Sequence, residues 1–472
     1  MVLMQTVDSD SRSLRTLAGT RTRELLTWAA RVPPGAIPHP VLGQAALVLA
    51  DNIAATVGAQ DEPEVRAAQA RFIERPTASE ATVFNRSATR VDRYSAAAAN
   101  GLAATWCELD EGYRLAPAHA GAYILPALLA EAEASASSTL NVLRALTLGY
   151  EIVGRCARAF PFASMSVHPH AAFGTLGAAA GIGLLREQNA EALLAMVSAG
   201  ATMVFAGPYN HAIEGALVRN LWTGISAWAG LRAADFAPLG LGGMAESIYD
   251  VFVGCFGTSA EPDVLTADLG QHWAIASGYH KLFACCQYAH SAVEASLKLV
   301  KRLVPAGRTA NDIAEIIVET HPRGLTLTEI DPPTVLSAKF SLPHALAAVA
   351  ARGTGGQSAF GRDTLDDPMI ARLRHSVRLQ TYSPIQAWPN DRPGRVTWRL
   401  TSGETLTEAV ENARGGADQP FSTAELIGKI DELTSDVFPL MPGVLQRLIA
   451  EPLAMAAATW PDVVAAMIKC EE

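Results

Sequence analysis

Five stretches of this sequence carry residue types that could move a proton or hold an anion. In "CELDEGYRLAPAH", Asp110 and His119 bracket Gly112 and Pro117, which break any helix between them. A loop of this kind can fold a carboxylate and an imidazole into one cleft, a pairing suited to general acid–base chemistry. In "VHPHAAFGTLGAAAGIGLL", Pro169 fits the first position of a helix, where its missing N–H would be unpaired anyway. His168 then sits at the helix N-terminus, whose positive dipole end favours a neutral ring able to accept a proton. The competing reading is a histidine satisfied by local hydrogen bonds. His170 is expected to point away from His168 once the helix has begun.

In "GYHKLFACCQYAHSAVEASL", Lys281 stands in an apolar setting. There an ammonium must find an anion, lose its charge or snorkel to the surface. His290 precedes Ser291 and Glu294, whose S-x-x-E spacing predicts a capping box. Arg219 heads a stretch free of further charge until Arg232, and its guanidinium suits bidentate carboxylate recognition. His344 follows Pro343 in "AKFSLPHALAAVAARG", either as a pocket group or as a capped core histidine.

Other chemistries find little support. Gly174, Gly177, Gly181 and Gly183 do not fit GxGxxG and no GK[ST] follows, so no phosphate cradle is expected. Three of them, at 174, 177 and 181, fall on one helical face and predict a close helix–helix approach. A metal site at His168 and His170 would need a third ligand that the sequence does not offer. The six cysteines form no CxxC pair, which suits a reducing cytosol rather than a disulfide framework. A net charge of -10 argues against a nucleic-acid partner. The N-terminus lacks a basic-then-apolar signal design, and the longest uncharged apolar run, Ala171 to Leu185, is 15 residues. That is short of the roughly 18–20 needed to cross a bilayer, so the expectation is a cytoplasmic protein without membrane contact.

The elements that must position these groups are mostly helices. The 472 residues are 49% hydrophobic and 18% charged, enough for two domains. Residues 1–265 read as successive helical patterns with no convincing strand. Residues 266–414 change in texture: "IAEIIVETH" and "HSVRLQTYS" alternate like strands, and "GRVTWRLTSGETLTEAV" predicts a hairpin around Gly403. Residues 415–472 are helical again and are expected to complete the first domain. The fold class is mainly α, a large all-helical domain plus a smaller α+β domain.

Taken in order, "ELDEGYRLAPAH" with Pro126 beyond it, "HPHAAFGTLGAAAG", "KLFACCQYAH" and "AKFSLPH" resemble the MmgE/PrpD family over nearly the whole chain. That family includes 2-methylcitrate dehydratase, cis-aconitate decarboxylase and iminodisuccinate epimerase. The resemblance implies a helical domain built from both chain ends, an α+β lid domain and a homodimer. It also implies a site in the interdomain cleft that takes a small carboxylate without metal, iron–sulfur cluster or other cofactor. By position in the family's motifs, Asp110, His119, His168 and Lys281 would be catalytic. Arg219, His170, His290 and His344 would bind substrate. This sequence departs from the pattern at Glu111, where a second Asp is frequent, and at Arg219, where a lysine is common. It departs again at His170, a threonine position, and at His344, a tyrosine position. The implied chemistry is proton abstraction beside a carboxylate, giving a dehydratase or decarboxylase. The alternatives are an epimerase or isomerase and, from another class, a protein that binds a polycarboxylate without turning it over.

Overall fold

The computed structural model describes residues 9–469 apart from 75–77 and 388–389. Cys470 lies outside the described residues. The first half is built from α1 (Ser9–Arg31), α2 (His39–Gly58), α3 (Pro63–Ile73), α4 (Arg93–Ala104), α5 (Ala120–Ala134), α6 (Thr139–Ala159), α7 (Pro169–Leu185) and α8 (Ala190–Thr202). A short α9 (Asn210–Glu214), the long α10 (Val218–Phe236) and the single turn α11 (Ser247–Tyr249) follow. Local chemistry sets several of the boundaries. Asp92 caps α4 through Tyr94 and Ser95 N–H, Ser138 caps α6, and Asn189 caps α8.

Every residue of α7 is buried, as a helix without charge or a polar face requires. It runs through the centre of the helical half, packed by α5, α6, α8 and α10. The glycine face does what its spacing predicts: Gly174 abuts Ser226 of α10, while Gly177 and Gly181 receive Tyr123 and Ile124 of α5. The same device sets α10 on α4. A Cβ on Gly101 would come within 2.9 Å of the Gly224 Cα and 3.1 Å of the Thr223 carbonyl oxygen, backbone atoms that cannot swing aside. Gly101→Val is therefore expected to cost about 1–3 kcal/mol of stability by overpacking. Urea unfolding followed by circular dichroism measures it, and an unchanged midpoint would refute the crossing.

The second half holds α12 (His290–Leu303), α13 (Val335–Lys339), α14 (Leu342–Arg352) and α15 (Pro368–His375) around a four-stranded sheet. Its strands β5 (Ile313–Thr320), β6 (Val377–Thr381), β7 (Gly394–Leu400) and β8 (Thr405–Val410) lie in the order β6-β5-β7-β8. The β5–β6 pair is parallel and the other two are antiparallel. The expected hairpin is the β7–β8 turn, with Gly403 at φ 88. Helix α12 covers β7 and β8. The chain then returns: α16 (Thr423–Thr434) and α17 (Met441–Ala450) pack on α2, and α18 (Trp460–Ile468) packs on α5. By length and composition α2 alone among the described helices could cross a membrane, and most of it is buried inside the fold.

Three sequence expectations are corrected. The first half contains three two-residue strands, β1 (Ala81–Thr82), β2 (Arg90–Val91) and β3 (Gly112–Tyr113), too short to show a period. The Ser291–Glu294 capping box does not form: α12 already begins at His290, and Ser291 Oγ donates instead to the Arg392 carbonyl at 2.6 Å. His170 does not point away from His168, since their rings meet edge-on with centroids 4.5 Å apart. His168 is the N-cap, with extended φ -73 and ψ 135, so helical spacing does not govern its direction.

Strand β3 pairs antiparallel with β4 (Gly278–Tyr279), Gly112 opposite Tyr279. The pair joins two segments far apart in sequence. Continuing its register by two residues sets Asp110 opposite Lys281. Gly112 permits the approach, because a Cβ there would overlap the Tyr279 ring.

Candidate active site

A cavity opens where these segments meet; its wall includes Glu108, His119, His168, Arg219, Lys281 and Arg392. A wider vestibule shares Tyr209, Tyr288 and Arg392 with it and leads outward past Arg323.

The loop between α4 and α5 folds back as its breakers suggest. His119 Nδ1 lies 2.7 Å from Asp110 Oδ2 and 2.7 Å from the Glu111 carbonyl oxygen. The Nδ1–H donates to the Glu111 carbonyl with the Asp110 carboxylate beside it at ion-pair distance, which leaves Nε2 free to take or give a proton. Asp110 is fully buried and does not line the cavity. Burial alone would raise its pKa, but Lys281 and then His119 hold the carboxyl well below its usual range. Asp110 thus pairs with His119 and Lys281 from behind the cavity wall.

Lys281 is 1% exposed, so it does not snorkel. Nζ finds two anions, Glu108 Oε2 at 3.4 Å and Asp110 Oδ1 at 3.6 Å. Burial disfavours the ammonium, yet these carboxylates outweigh it and push the pKa up. Arg219 Nη2 lies 2.5 Å from Glu108 Oε1, and Nη1 donates to the Thr105 carbonyl at 3.2 Å. Two buried cations and two buried carboxylates therefore balance.

His168 caps α7 as expected: Nδ1 accepts from the His170 N–H at 3.2 Å. On its other side Nε2 lies 3.3 Å from Arg219 Nε. A neutral imidazole can accept at only one nitrogen, so only one of these two contacts is a hydrogen bond in the neutral ring, and protonation of His168 would remove it as well. Burial and then the Arg219 charge lower its pKa well below the ordinary value. His168 is 3% exposed while the His119 side chain is 16% exposed, which makes His119 the more accessible imidazole.

Three proposed binding histidines stand apart from the cavity wall. His170 is fully buried behind it, Nδ1 sharing a 3.0 Å hydrogen bond with the Tyr123 hydroxyl. His290 Nε2 donates to the Cys285 carbonyl at 3.1 Å, and burial brings its pKa down to about 3. His344 packs between Thr364 and Arg374, at 3.2 Å and 3.4 Å, where burial lowers its pKa to about 4. These contacts tie α14 to α15.

Sequence reasoning missed Glu108, Gln287 and Arg392. Glu108 bridges Arg219 and Lys281 from φ 55, a left-handed conformation uncommon outside glycine. Its signal was an acidic residue after the apolar "ATWC" run. Cys286 lines the cavity, but burial pushes its thiol up to about 11, so it is no thiolate nucleophile at neutral pH. Behind the site, Asp51 holds His280 Nδ1 at 2.8 Å and Lys429 Nζ at 2.5 Å, and Lys429 also donates to the Leu109 carbonyl at 2.6 Å. Helix α16 thereby braces the residue next to Asp110. Among the described residues no three His, Cys, Asp or Glu side chains converge as metal ligands would.

A mainly helical chain with a small sheet thus surrounds a pocket walled by imidazole, ammonium, guanidinium and carboxylate groups. The chain belongs to the MmgE/PrpD family: the MmgE/PrpD N-terminal domain matches residues 23–264 and the C-terminal domain residues 283–450. It is 26% identical over 469 residues to a cis-aconitate decarboxylase of Aspergillus terreus strain NIH 2624, covering 92% of each chain. It is 27% identical over 457 residues to the cis-aconitate decarboxylase-like protein oryM of Aspergillus oryzae, covering 89% of this chain and 91% of that one.

Proposed function

We propose that this chain is a lyase acting on a small di- or tricarboxylate by proton transfer at a carbon next to a carboxylate, with decarboxylation the favoured outcome. The observation that carries the reading is the His119 imidazole, fixed at Nδ1 by Asp110 and the Glu111 carbonyl, facing the same cavity as Lys281 and Arg219. Both cations keep N–H groups beyond those used on Glu108 and Asp110, and these can bind a carboxylate. The names of the relatives favour decarboxylation over dehydration.

When an unsaturated tricarboxylate loses CO2, the broken C–C bond supplies a new double bond. The far carbon of the old double bond takes up a proton, and nothing is oxidised or reduced. His119 Nε2 delivers that proton, His168 flanks the same space, and Lys281 and Arg219 stabilise the charge that develops on the remaining carboxylate. An epimerase needs two-sided proton traffic, to which His170 and His344 would add titratable groups, and neither lines the cavity.

Incubating the protein in D2O with cis-aconitate and a panel of related di- and tricarboxylates, followed by NMR, tests the reading. The expected result is one product short of CO2 with a single deuterium on carbon. Exchange without loss of a group would shift the reading to an epimerase. Measurable binding with neither exchange nor product would leave only a carboxylate-binding protein.

A further inference from the structure

The inner cations are already matched by carboxylates: Arg219 and Lys281 face Glu108 and Asp110. The cavity's uncompensated cation is Arg392, on the loop leading into β7, which lies in the wall of both the cavity and the vestibule. Its neighbour Asp391 is engaged by Arg114 at 2.5 Å, and among the described residues no carboxylate forms an ion pair with Arg392. The guanidinium is held in place. Nη1 donates to Gln287 Oε1, the side chain lies over the Tyr288 ring at 5.3 Å, and the backbone carbonyl accepts from Ser291 Oγ. The bond to Oε1 also fixes the amide of Gln287. That side chain is 6% exposed and lines the cavity, and its Nε2 is buried without a partner. A buried amide donor left unpaired next to a guanidinium with no counter-ion is a pair of donors lacking its acceptor.

We propose that Arg392 and Gln287 together clamp a second carboxylate of the substrate, remote from the one held by Lys281 and Arg219. The inference rests on the polycarboxylate reading above and narrows it: a monocarboxylate leaves this clamp empty. The clamp comes from the second half of the chain, whereas His119 and His168 come from the first, so the cavity wall that meets the substrate is drawn from both halves. Arg323, farther out, stacks over the other reach of Tyr288 at 5.9 Å and contributes charge at the mouth without touching the bound ligand.

Calorimetric titration with propane-1,2,3-tricarboxylate, which has no double bond to react, tests this. Arg392→Ala is expected to weaken binding by about tenfold to a hundredfold and Gln287→Leu by several-fold, the range of charge-assisted hydrogen bonds. Arg323→Ala, an equal loss of charge at the rim, should cost about twofold or less. An Arg323→Ala loss as large as that of Arg392→Ala would show a general field effect and overturn the clamp. Undiminished binding in Arg392→Ala would overturn it while leaving the polycarboxylate reading standing. Failure of the unaltered protein to bind the probe would remove both. Should Arg392→Ala not fold by circular dichroism, Gln287→Leu decides, and unchanged affinity there refutes the proposal.

Discussion

Lys281→Met is expected to lower turnover of the substrate by about a hundred- to a thousandfold and to cost about 3–5 kcal/mol of stability. The ammonium lies between Glu108 and Asp110 at 3.4 Å and 3.6 Å, with 1% of the residue exposed. Without it Glu108 keeps Arg219 as its partner, while the fully buried Asp110 loses its ammonium and is left with His119 alone. The loss of activity has a separate cause, the missing donor at the carboxylate whose charge grows in the transition state. The double variant Lys281→Met with Glu108→Gln separates the two. It returns the buried charge to one cation, Arg219, and one anion, Asp110, so part of the lost stability returns while turnover does not. Activity recovered along with stability would assign Lys281 a purely structural role. Thermal unfolding and steady-state rates on the two variants make the comparison.

What the sequence disclosed and what it hid divide along the range of the interactions. His168 at the start of α7, the glycine face of that helix and the β7–β8 hairpin follow from rules that span a few residues, and the structure has them. The Asp110–His119 contact was legible because Gly112 and Pro117 leave the loop no other regular course. Lys281 had to find an anion, lose its charge or snorkel, and its finding Glu108 and Asp110 depended on the β3–β4 register, in which Gly112 meets Tyr279 from the far side of the sequence. His344 carried the same local signal as His168, a histidine beside a proline at a helix start. Thr364 and Arg374, supplied by later turns, make it a packing residue. Arg392 and Gln287 gave no signal at all. Their meaning lies in what they lack, a carboxylate, and only the folded arrangement shows it. Of the residues that the family resemblance named, His119, His168, Arg219 and Lys281 line the cavity and His170, His290 and His344 do not, because position in a motif does not fix position in the pocket.

Glu111→Gln is expected to make the protein more stable at high pH by a few kcal/mol and to change little at low pH. The Glu111 side chain is fully buried, with Oε1 accepting from the Gly121 N–H at 2.5 Å and Oε2 from the Tyr150 hydroxyl at 3.0 Å. Burial first, and the neighbouring Asp110 second, push its pKa from 4.5 up to about 8. Between those values the folded chain keeps a proton that the unfolded chain has released, so this group makes stability fall as pH rises. The slope is about 1.4 kcal/mol per pH unit, and the fall ends above the folded pKa. Glutamine has nearly the same shape, can accept the Gly121 N–H and cannot ionise. The other titrating groups are common to both proteins, so their contributions largely cancel in the difference. Unfolding midpoints measured at pH 5, 7 and 9 should therefore separate progressively, the variant ahead. Parallel curves would mean that Glu111 is ionised beside Asp110 throughout, and that the Asp110–His119 pair works next to a second negative charge instead of a neutral acid.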